Sequence, residues 1–446
     1  MKRVSLARGG ILLLILFAAM DGFTQEEKIK KEPVSIQASV PKPHTDEPDF
    51  FPLFPWGGFG ESENMIRSLH ECNFNMSGFI AEKGLASSAK YKMKAFLNVI
   101  VLDKKKLPGI TQEDADAIII KATAPTKDDP AVLGYYLIDE PGTSLFPALA
   151  KLNRSIEKYA PGKLLYINLF PSYGAALGSD PRRQLQADSF TEYLERYVQE
   201  VKPHYISYDN YMVEYSEDMS RKDRAEIYWN DLMEVRRIAQ KYKLPWWNIV
   251  SCLCIRKESS PPSPARFAFQ AYTSLAAGAN GLSWFICKSP GRSYSPLDEQ
   301  NRKTLTWSYM REINEQILTL GTILCDYEST NIWFTEPGSM KNLPKNPKKI
   351  LNEIHLSWSK LGENIQDSPS VMVGEFKARD GSHEAIMAVN LNFGRSVKID
   401  FDFIKKYEKI EGISPNDGHR IEKTPVNGWW ILPGHGSLFL LKPLDR

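Results

Sequence analysis

The sequence predicts an α/β fold in which a (β/α)8 barrel is followed by a smaller antiparallel β-sandwich domain. Short apolar runs alternate with longer amphipathic stretches from residue 49 to residue 325, which indicates a parallel sheet with helices on both faces. Eight such units fit a closed barrel better than an open sheet. From residue 326 to residue 446 the helical period gives way to short strands and turns.

The predicted barrel elements follow one another in a regular order. The strands, rich in apolar, β-branched and aromatic residues, are Phe50–Trp56, Asn75–Ile80, Lys94–Val101, Val132–Ile138, Leu164–Asn168, Tyr205–Tyr208, Trp246–Cys252 and Gly281–Ile286. The helices between them are Glu61–Cys72, Gln112–Ala124, Leu145–Tyr159, Phe190–Lys202, Arg221–Lys243 and Pro264–Ala277, and Leu305–Leu320 closes the barrel. The glycines after the first strand lack the G-x-G-x-x-G spacing, so no dinucleotide cofactor is predicted.

The C-terminal pattern predicts the β-sandwich. Its strands are Ser370–Phe376, Glu384–Asn392, Val397–Phe403 and Trp429–Leu441, the last broken at Pro433-Gly434. The Asp-Gly dipeptide at Asp380 stands between two apolar alternating runs, a pattern typical of a hairpin turn.

The first 25 residues predict a cleaved export signal. Lys2 and Arg3 precede a short apolar run, residues 11–19, and polar residues begin at Gln25. The run is shorter than the roughly 20 residues of a membrane span, so we expect no membrane insertion after cleavage. Residues 26–48, rich in Lys, Glu and Pro, are predicted to be a linker, and the exported chain is expected in the periplasm or outside the cell.

Composition and charge exclude several classes of protein. Of 446 residues, 42% are hydrophobic and 25% charged, which excludes a disordered chain. The formal net charge is +2 with both signs interspersed, so no nucleic-acid partner is indicated. The odd count of 5 cysteines leaves at least one unpaired, and we expect buried free thiols. No metal site is predicted, because His70 and His204 do not belong to a cluster.

The fourth predicted strand ends in two adjacent acids. Asp139 and Glu140 follow the apolar strand, and Pro141 stops further pairing. Such a pair can simply cap the next helix, because carboxylates are stabilised at a helix N-terminus. In a barrel, however, the carboxyl ends of the strands line the active site. The two tyrosines just before the acids also favour a functional role.

This segment resembles the fourth-strand Asn-Glu-Pro motif of the clan A glycoside hydrolases, which include family forty-two-like β-galactosidases. Residues 269–272 and 275–285 are similar to the segment by which those barrels enter their last strand, and the final strands resemble their C-terminal β-domain. The resemblance implies an enzyme that cleaves an O-glycosidic bond in a polysaccharide or glycan without a cofactor. It also implies that Glu140 is the general acid/base. Such a residue needs a raised pKa, and both burial and the neighbouring Asp139 would raise the pKa of Glu140.

The sequence departs from that motif on the seventh strand. Clan A enzymes place a nucleophilic glutamate at its end, whereas here the strand ends in Ser251-Cys252. We predict Asp209, at the end of the sixth strand, as the second carboxylate, with Glu258 in the following loop as the alternative. The distance between the two catalytic carboxyl groups decides the stereochemical outcome. Glycosidases with carboxyl groups about 5–5.5 Å apart retain the configuration of the anomeric carbon, and those with groups about 6.5–9.5 Å apart invert it.

Two alternatives stay open. The pair Asp139-Glu140 also resembles the one used by substrate-assisted N-acetylhexosaminidases, in which Asp139 would orient the acetamido group and no protein nucleophile is needed. The lack of an acid on the seventh strand is, alternatively, typical of a catalytically inactive carbohydrate-binding barrel.

Strand-end side chains are the candidates for binding a carbohydrate. Trp56 and Trp284 are the preferred stacking residues, because each offers a flat apolar face with a polar edge. The full predicted set is Trp56, Glu82, Tyr136, Asn168, Tyr208, Asn210, Tyr211, Trp247 and Trp284.

Overall fold

The computed structural model describes residues 49–57, 61–103, 105–174, 178–216, 219, 224–256, 259–289, 291–335, 342–358, 369–422, 424–425 and 428–444. The predicted export signal and linker, as well as Glu258, lie outside the described residues, so those statements stay predictions. Within the described ranges, no helix has both the length and the apolar character needed to cross a membrane.

The described residues contain the eight parallel strands of the predicted barrel, which confirms the fold class. They are β1 (Leu53–Pro55), β2 (Met76–Ile80), β3 (Lys94–Leu97), β4 (Val132–Asp139), β5 (Leu164–Asn168), β6 (Ile206–Asp209), β7 (Trp246–Ser251) and β8 (Gly281–Phe285). They form two sheets of four strands, β2-β3-β4-β5 and β1-β8-β7-β6. Leu169 pairs with Tyr208 where β5 meets β6. The Asn75 side chain bonds the backbone of Leu53 and Phe51 where β1 meets β2.

Helices follow the strands and cover the outside of the barrel. They are α1 (Glu63–Glu71), α2 (Leu85–Lys90), α3 (Gln112–Thr123), α4 (Phe146–Tyr159), α5 (Pro181–Leu185), α6 (Phe190–Arg196), α7 (Arg224–Tyr242), α8 (Pro264–Ala276) and α9 (Leu305–Leu324). Side chains cap several of these helices, as where Thr111 and Asp114 form a reciprocal capping box at α3. The helix predicted after β5 continues past α6 only as a π-helical turn, Tyr197–Val201.

Aromatic side chains fill the barrel interior below the mouth. Phe54, Phe96, Tyr166 and Trp247 are buried there, with ring centroids 4.7 Å apart for Phe96 and Tyr166 and 6.0 Å apart for Phe54 and Trp247. The interior is therefore a packed core, and the mouth above it is where a ligand can bind.

The C-terminal part is an antiparallel β-sandwich, as predicted. Its strands are β9 (Tyr327–Phe334), β10 (Leu351–Trp358), β11 (Val371–Ala378), β12 (Glu384–Asn390), β13 (Val397–Phe403), β14 (Tyr407–Ile413), β15 (Arg420–Ile421), β16 (Trp429–Ile431) and β17 (Gly436–Pro443). They form a six-stranded sheet, β15-β14-β17-β12-β11-β9, and a three-stranded sheet, β10-β13-β16. The break predicted at Pro433-Gly434 separates β16 from β17, and these two strands belong to different sheets.

The large sheet packs directly on α8. A Cβ atom at Gly374 would lie 2.1 Å from the carbonyl oxygen of Ala276, and one at Gly434 would lie 2.0 Å from that of Ala265. Only glycine permits so close an approach of β11, and of the turn between β16 and β17, to the helix. The β-sandwich thereby supports the helix that connects β7 to β8.

All five cysteines lie in the described residues and are free. Four of them are buried and Cys325 is half-buried. This agrees with the expectation of buried free thiols. The seventh strand ends at Ser251, so Cys252 follows the strand rather than belonging to it.

Candidate active site

A β-bulge at the end of β4 turns Asp139 into the barrel mouth. The register with β5 shifts between Tyr136 and Ile138, and the pairs on either side are Tyr136–Tyr166, Ile138–Ile167 and Asp139–Asn168. Tyr136 contacts the interior aromatic cluster, whereas Ile138 packs in the outer core. With strict alternation Ile138 would face inward, as Tyr136 does. The extra residue, Leu137, reverses the alternation, so Asp139 faces inward beside Asn168.

Glu140 leaves the strand in a left-handed conformation. Its φ is 49°, a value that few residues other than glycine adopt and that is concentrated at functional sites. Its backbone N–H donates to the carbonyl oxygen of Asn168 at 2.9 Å. The Tyr193 hydroxyl donates to the carbonyl oxygen of Pro141 at 2.7 Å and holds the turn that follows. The bulge and this turn together bring two consecutive acids to one site.

The Asn168 side chain links Asp139 to Asp209. Its Nδ2 atom donates to Oδ1 of Asp139 at 3.0 Å and to Oδ1 of Asp209 at 2.9 Å, and its own Oδ1 accepts from Ser207. Because the two N–H bonds of an amide diverge by about 120°, the two carboxylate oxygens lie about 5 Å apart. Asp209 is only 3% exposed, whereas Asp139 is exposed. Asp209 therefore lies at the base of the site and Asp139 at its rim.

The three carboxyl groups oppose one another's ionisation. Burial first, and then the charges of Asp209 and Asp139, raise the pKa of Glu140 well above its ordinary value. Burial and the charge of Asp139 raise the pKa of Asp209, although hydrogen bonds from Asn168 and Tyr211 act in the opposite direction. Closely spaced carboxyls share protons, so Glu140 stays protonated at neutral pH. In the described part of the chain, no group of three or more His, Cys, Asp or Glu side chains could hold a metal ion.

Tyrosines surround Glu140. Burial raises the pKa of Tyr136, Tyr173, Tyr193 and Tyr211, and the negative charge of Glu140 raises each of them further. The Tyr173 hydroxyl accepts the backbone N–H of Tyr211 at 3.1 Å. Tyr136, Tyr173 and Tyr211 are half-buried, and their neutral phenols can bind ligand hydroxyls as donors or acceptors, whereas Tyr193 is fully buried. Tyr173 and Tyr193 were not predicted, because one follows β5 by several residues and the other lies on α6.

Two aromatic groups border the site. On one side Phe79 lies between Trp56 and Tyr136, with ring centroids 4.8 and 4.9 Å away. On the other side the rings of Tyr211 and Phe285 are 5.0 Å apart, and both are half-buried. Phe79 and Phe285 were not among the predicted residues, although both stand on barrel strands.

Two of the predicted residues near β6 face away from the site. Because Ser207 and Asp209 face inward, Tyr208 faces the outer core, where it is fully buried. The Asn210 amide donates to Asp231 of α7 at 2.8 Å. The alternation of the strand thus separates both side chains from Glu140.

Two predicted tryptophans are also buried elsewhere. Trp284 is fully buried and donates through Nε1 to Asn314 of α9 at 2.7 Å. Trp247 stacks on Tyr205 deep in the barrel, with ring centroids 4.2 Å apart. Neither offers a face to a ligand.

Glu82 is exposed in the short 3-10 turn after β2.

The end of β7 is occupied by a carboxylate that comes from another element. Glu214, in the 3-10 turn after β6, accepts hydrogen bonds from the Ser251 hydroxyl and, at 3.0 Å, from the backbone N–H of Ile255. Burial raises the pKa of Glu214 to about 7. Both oxygens are engaged by the loop after β7, so this carboxylate holds that loop in place. It was not predicted because it follows its strand by five residues.

Solved structures share this fold along nearly their whole length. The chain is similar to a glycoside hydrolase family 5 protein from Bacteroides vulgatus, with a TM-score of 0.53 and 12% identity over 88% of this chain and 90% of that chain. It is similar to a second glycoside hydrolase, with a TM-score of 0.52 and 11% identity over 89% and 93% of the two chains. A catalytic mutant of Gan42B, a family 42 β-galactosidase from G. stearothermophilus, gives a TM-score of 0.52 and 8% identity over 88% and 98%.

These likenesses define the class to which the fold belongs. A barrel followed by a β-domain is the fold that this chain shares with these glycoside hydrolases of families 5 and 42, so the resemblance predicted from the sequence is confirmed at the level of the fold. At such low identity the likeness shows the fold alone. No protein-family model and no curated protein matches this chain.

Proposed function

We propose that the protein is a glycoside hydrolase that cleaves an O-glycosidic bond, with Glu140 as the general acid. The observation that carries this proposal is the position of Glu140, half-buried at the barrel mouth, where burial and two neighbouring carboxyls raise its pKa. An acid that protonates a leaving oxygen must still hold its proton near neutral pH. The fold of glycoside hydrolases supports the same activity.

In the proposed reaction, Glu140 gives its proton to the glycosidic oxygen as the bond to the anomeric carbon breaks. Positive charge then develops on the sugar ring, and a nearby carboxylate stabilises it. Water adds to the anomeric carbon and returns a proton to Glu140, which completes the hydrolysis. Asp209 is the second carboxylate of this proposal. Its hydrogen bonds to Asn168 and Tyr211 fix its position below the substrate.

A substrate-assisted reaction is the second candidate, and one observation favours it. Asp139 is exposed beside Glu140 and is fixed by the Asn168 amide at 3.0 Å. None of the 6 residues of β7 is acidic. In this route Glu140 protonates the leaving oxygen, the acetamido oxygen of the substrate attacks the anomeric carbon as the glycosidic bond breaks, and Asp139 accepts a hydrogen bond from the acetamido N–H. Water then opens the cyclic intermediate and returns a proton to Glu140. This route requires an N-acetylated sugar at the cleaved bond.

The test is the isosteric substitution Glu140→Gln, assayed on aryl glycosides of several sugars with leaving groups of graded acidity. We expect a loss of about 10²–10⁴-fold in kcat/KM for poor leaving groups, because Gln cannot donate a proton to the oxygen. A dinitrophenyl glycoside needs little protonation and should lose much less. Glu113→Gln, at an exposed acid on the outer helix α3, is the matched control and should behave as the wild type.

Two outcomes would contradict the proposal. A Glu140→Gln variant as active as the wild type removes the general acid from the mechanism. A wild type that binds glycans but cleaves none of them indicates the inactive binding barrel. The two catalytic routes are separated by Asp139→Asn: the substrate-assisted route predicts activity confined to N-acetylated sugars and lost in this variant.

A further inference from the structure

The loop between β8 and α9 lines an open cavity of about 220 Å³ at the same end of the barrel as Glu140. One monosaccharide unit fits a space of that size. The cavity lies outside the carboxylate cluster and plays no part in the proposed cleavage.

The lining of the cavity carries both donors and acceptors. Lys288 and Arg292 are cationic, and Asp298 and Glu299 are acidic, so the lining has no excess of either charge. Ser295 is 7% exposed, and its hydroxyl oxygen has no hydrogen-bond partner in the described part of the chain. A buried hydroxyl without a partner is costly. A ligand with several uncharged hydroxyl groups matches this lining, because each hydroxyl both donates and accepts.

Tyr294 adds an exposed aromatic face to the same cavity. It is 55% exposed, and it makes no hydrogen bond or ring contact with the described residues. Its φ of 62° lies in the left-handed region, which residues other than glycine rarely adopt. The flat face of a tyrosine packs well against the apolar face of a sugar ring.

A chain of side-chain contacts links the lining of the cavity to the candidate active site. The Arg292 guanidinium lies 5.5 Å from the centre of the Phe285 ring. That ring is 5.0 Å from the ring of Tyr211, whose hydroxyl donates to Asp209. A glycan bound at the carboxylates can therefore extend across Phe285 into the loop.

We propose that this loop forms a second sugar subsite, with Tyr294 as its platform, which binds an uncharged sugar unit beyond the one whose bond is cleaved. The proposal rests on the proposed glycosidase activity and specifies its substrate class as neutral oligosaccharides or polysaccharides. Tyr294 is a specificity-determining residue in this proposal, and Ser295 and Arg292 supply hydrogen bonds to the sugar.

The kinetic test compares Tyr294→Ala with the matched control Tyr294→Phe. We expect Tyr294→Ala to raise KM for a neutral oligosaccharide substrate about tenfold with little change in kcat, because it removes the stacking surface. KM for an aryl monoglycoside, which is too short to reach the loop, should not change. Tyr294→Phe keeps the ring and should resemble the wild type. Equal effects on long and short substrates, or none on either, would overturn the subsite.

A binding test separates the subsite from the cleavage activity. Calorimetry on the Glu140→Gln protein, with and without Tyr294→Ala, would use the hexaoses of glucose (β-1,4), mannose and xylose, and trigalacturonate as the charged ligand. Tenfold weaker binding of a neutral hexaose after Tyr294→Ala supports the subsite even if no glycoside is cleaved. If Tyr294→Ala does not change the cleavage of neutral oligosaccharides, the subsite is refuted, whereas the proposed glycosidase activity still stands. Binding of trigalacturonate alone, or of no hexaose, refutes the neutral-sugar assignment.

Discussion

Asp231 on α7 is a buried carboxylate whose charge should make the protein less stable at high pH. It is 1% exposed. Its Oδ2 accepts from the backbone N–H of Ser172 at 3.1 Å and from Asn210 at 2.8 Å, whereas Oδ1 has no hydrogen-bond partner among the described residues. Burial is the main reason that its pKa rises from 3.8 to about 7.

The size and sign of the effect follow from proton linkage. Between pH 3.8 and about 7, Asp231 is ionised in the unfolded chain and protonated in the folded one, so the unfolded state binds fewer protons. The free energy of unfolding therefore falls as the pH rises through this window, and levels off above about pH 7. At about 1.4 kcal/mol per pH unit, this interval corresponds to about 4 kcal/mol.

Asp231→Asn should remove this dependence. The Asn oxygen can accept the two hydrogen bonds that Oδ2 accepts now, and no charge forms at any pH. In urea unfolding from pH 4 to pH 8, the stability of the variant relative to the wild type should increase by about 4 kcal/mol. A difference that stays constant within about 1 kcal/mol over this range would refute the reasoning.

Asp116 on α3 provides a control of opposite sign. Hydrogen bonds from Ser155, Gln112 and Tyr159 hold the pKa of this carboxyl well below its ordinary range. Asp116→Asn should therefore destabilise the protein at neutral pH, and its effect should shrink as the pH falls below 3.8, toward the folded pKa. Opposite trends in the two variants would exclude a general effect of charge removal.

Two further predictions concern β4 and the carboxylate network. Asn168→Ala removes a hydrogen bond that lowers the pKa of Asp209, so the acid limb of the pH profile of kcat/KM should move up by about one pH unit. An unchanged limb would show that Asp209 does not need to be ionised. Gly134→Ala would place a Cβ atom 2.1 Å from the carbonyl oxygen of Leu164 and should destabilise the protein by about 1–3 kcal/mol. Gly109→Ala, whose Cβ would meet nothing within 4 Å, is its control in thermal unfolding.

The barrel could be predicted because its strands are buried on both sides. Val132–Asp139 and Leu164–Asn168 are continuous apolar runs, so their positions agree with the prediction to within one residue. Strands of the β-sandwich that have one exposed face were harder to predict from the sequence. Leu351–Trp358 and Tyr407–Ile413 mix charged and apolar residues, and neither was predicted. In such strands, polar residues on the solvent side interrupt the apolar pattern on which the prediction depends.

The site was predictable only where strand alternation is regular. Asp209 and Asn168 were each predicted to lie at the barrel mouth because each ends a strand, and the Asn168 amide donates to Asp209. Trp284 and Asn210 also end strands, but each side chain points toward a helix, and sequence spacing does not fix which face of a strand is inside. The bulge at Leu137, which decides the direction of Asp139, has no marker such as glycine in the sequence.

The geometry also bears on which group completes the proposed reaction. The oxygens of Asp139 and Asp209 that share the Asn168 amide lie about 5 Å apart, which is close to the spacing of a retaining pair, but neither residue is the proposed acid. Asp209 is almost fully buried, so it can stabilise charge more easily than it can bond to an anomeric carbon. Asp139, at the rim, is the carboxylate that a substrate meets beside Glu140. This arrangement favours an attacking group supplied by water or by the substrate over a covalent bond to Asp209.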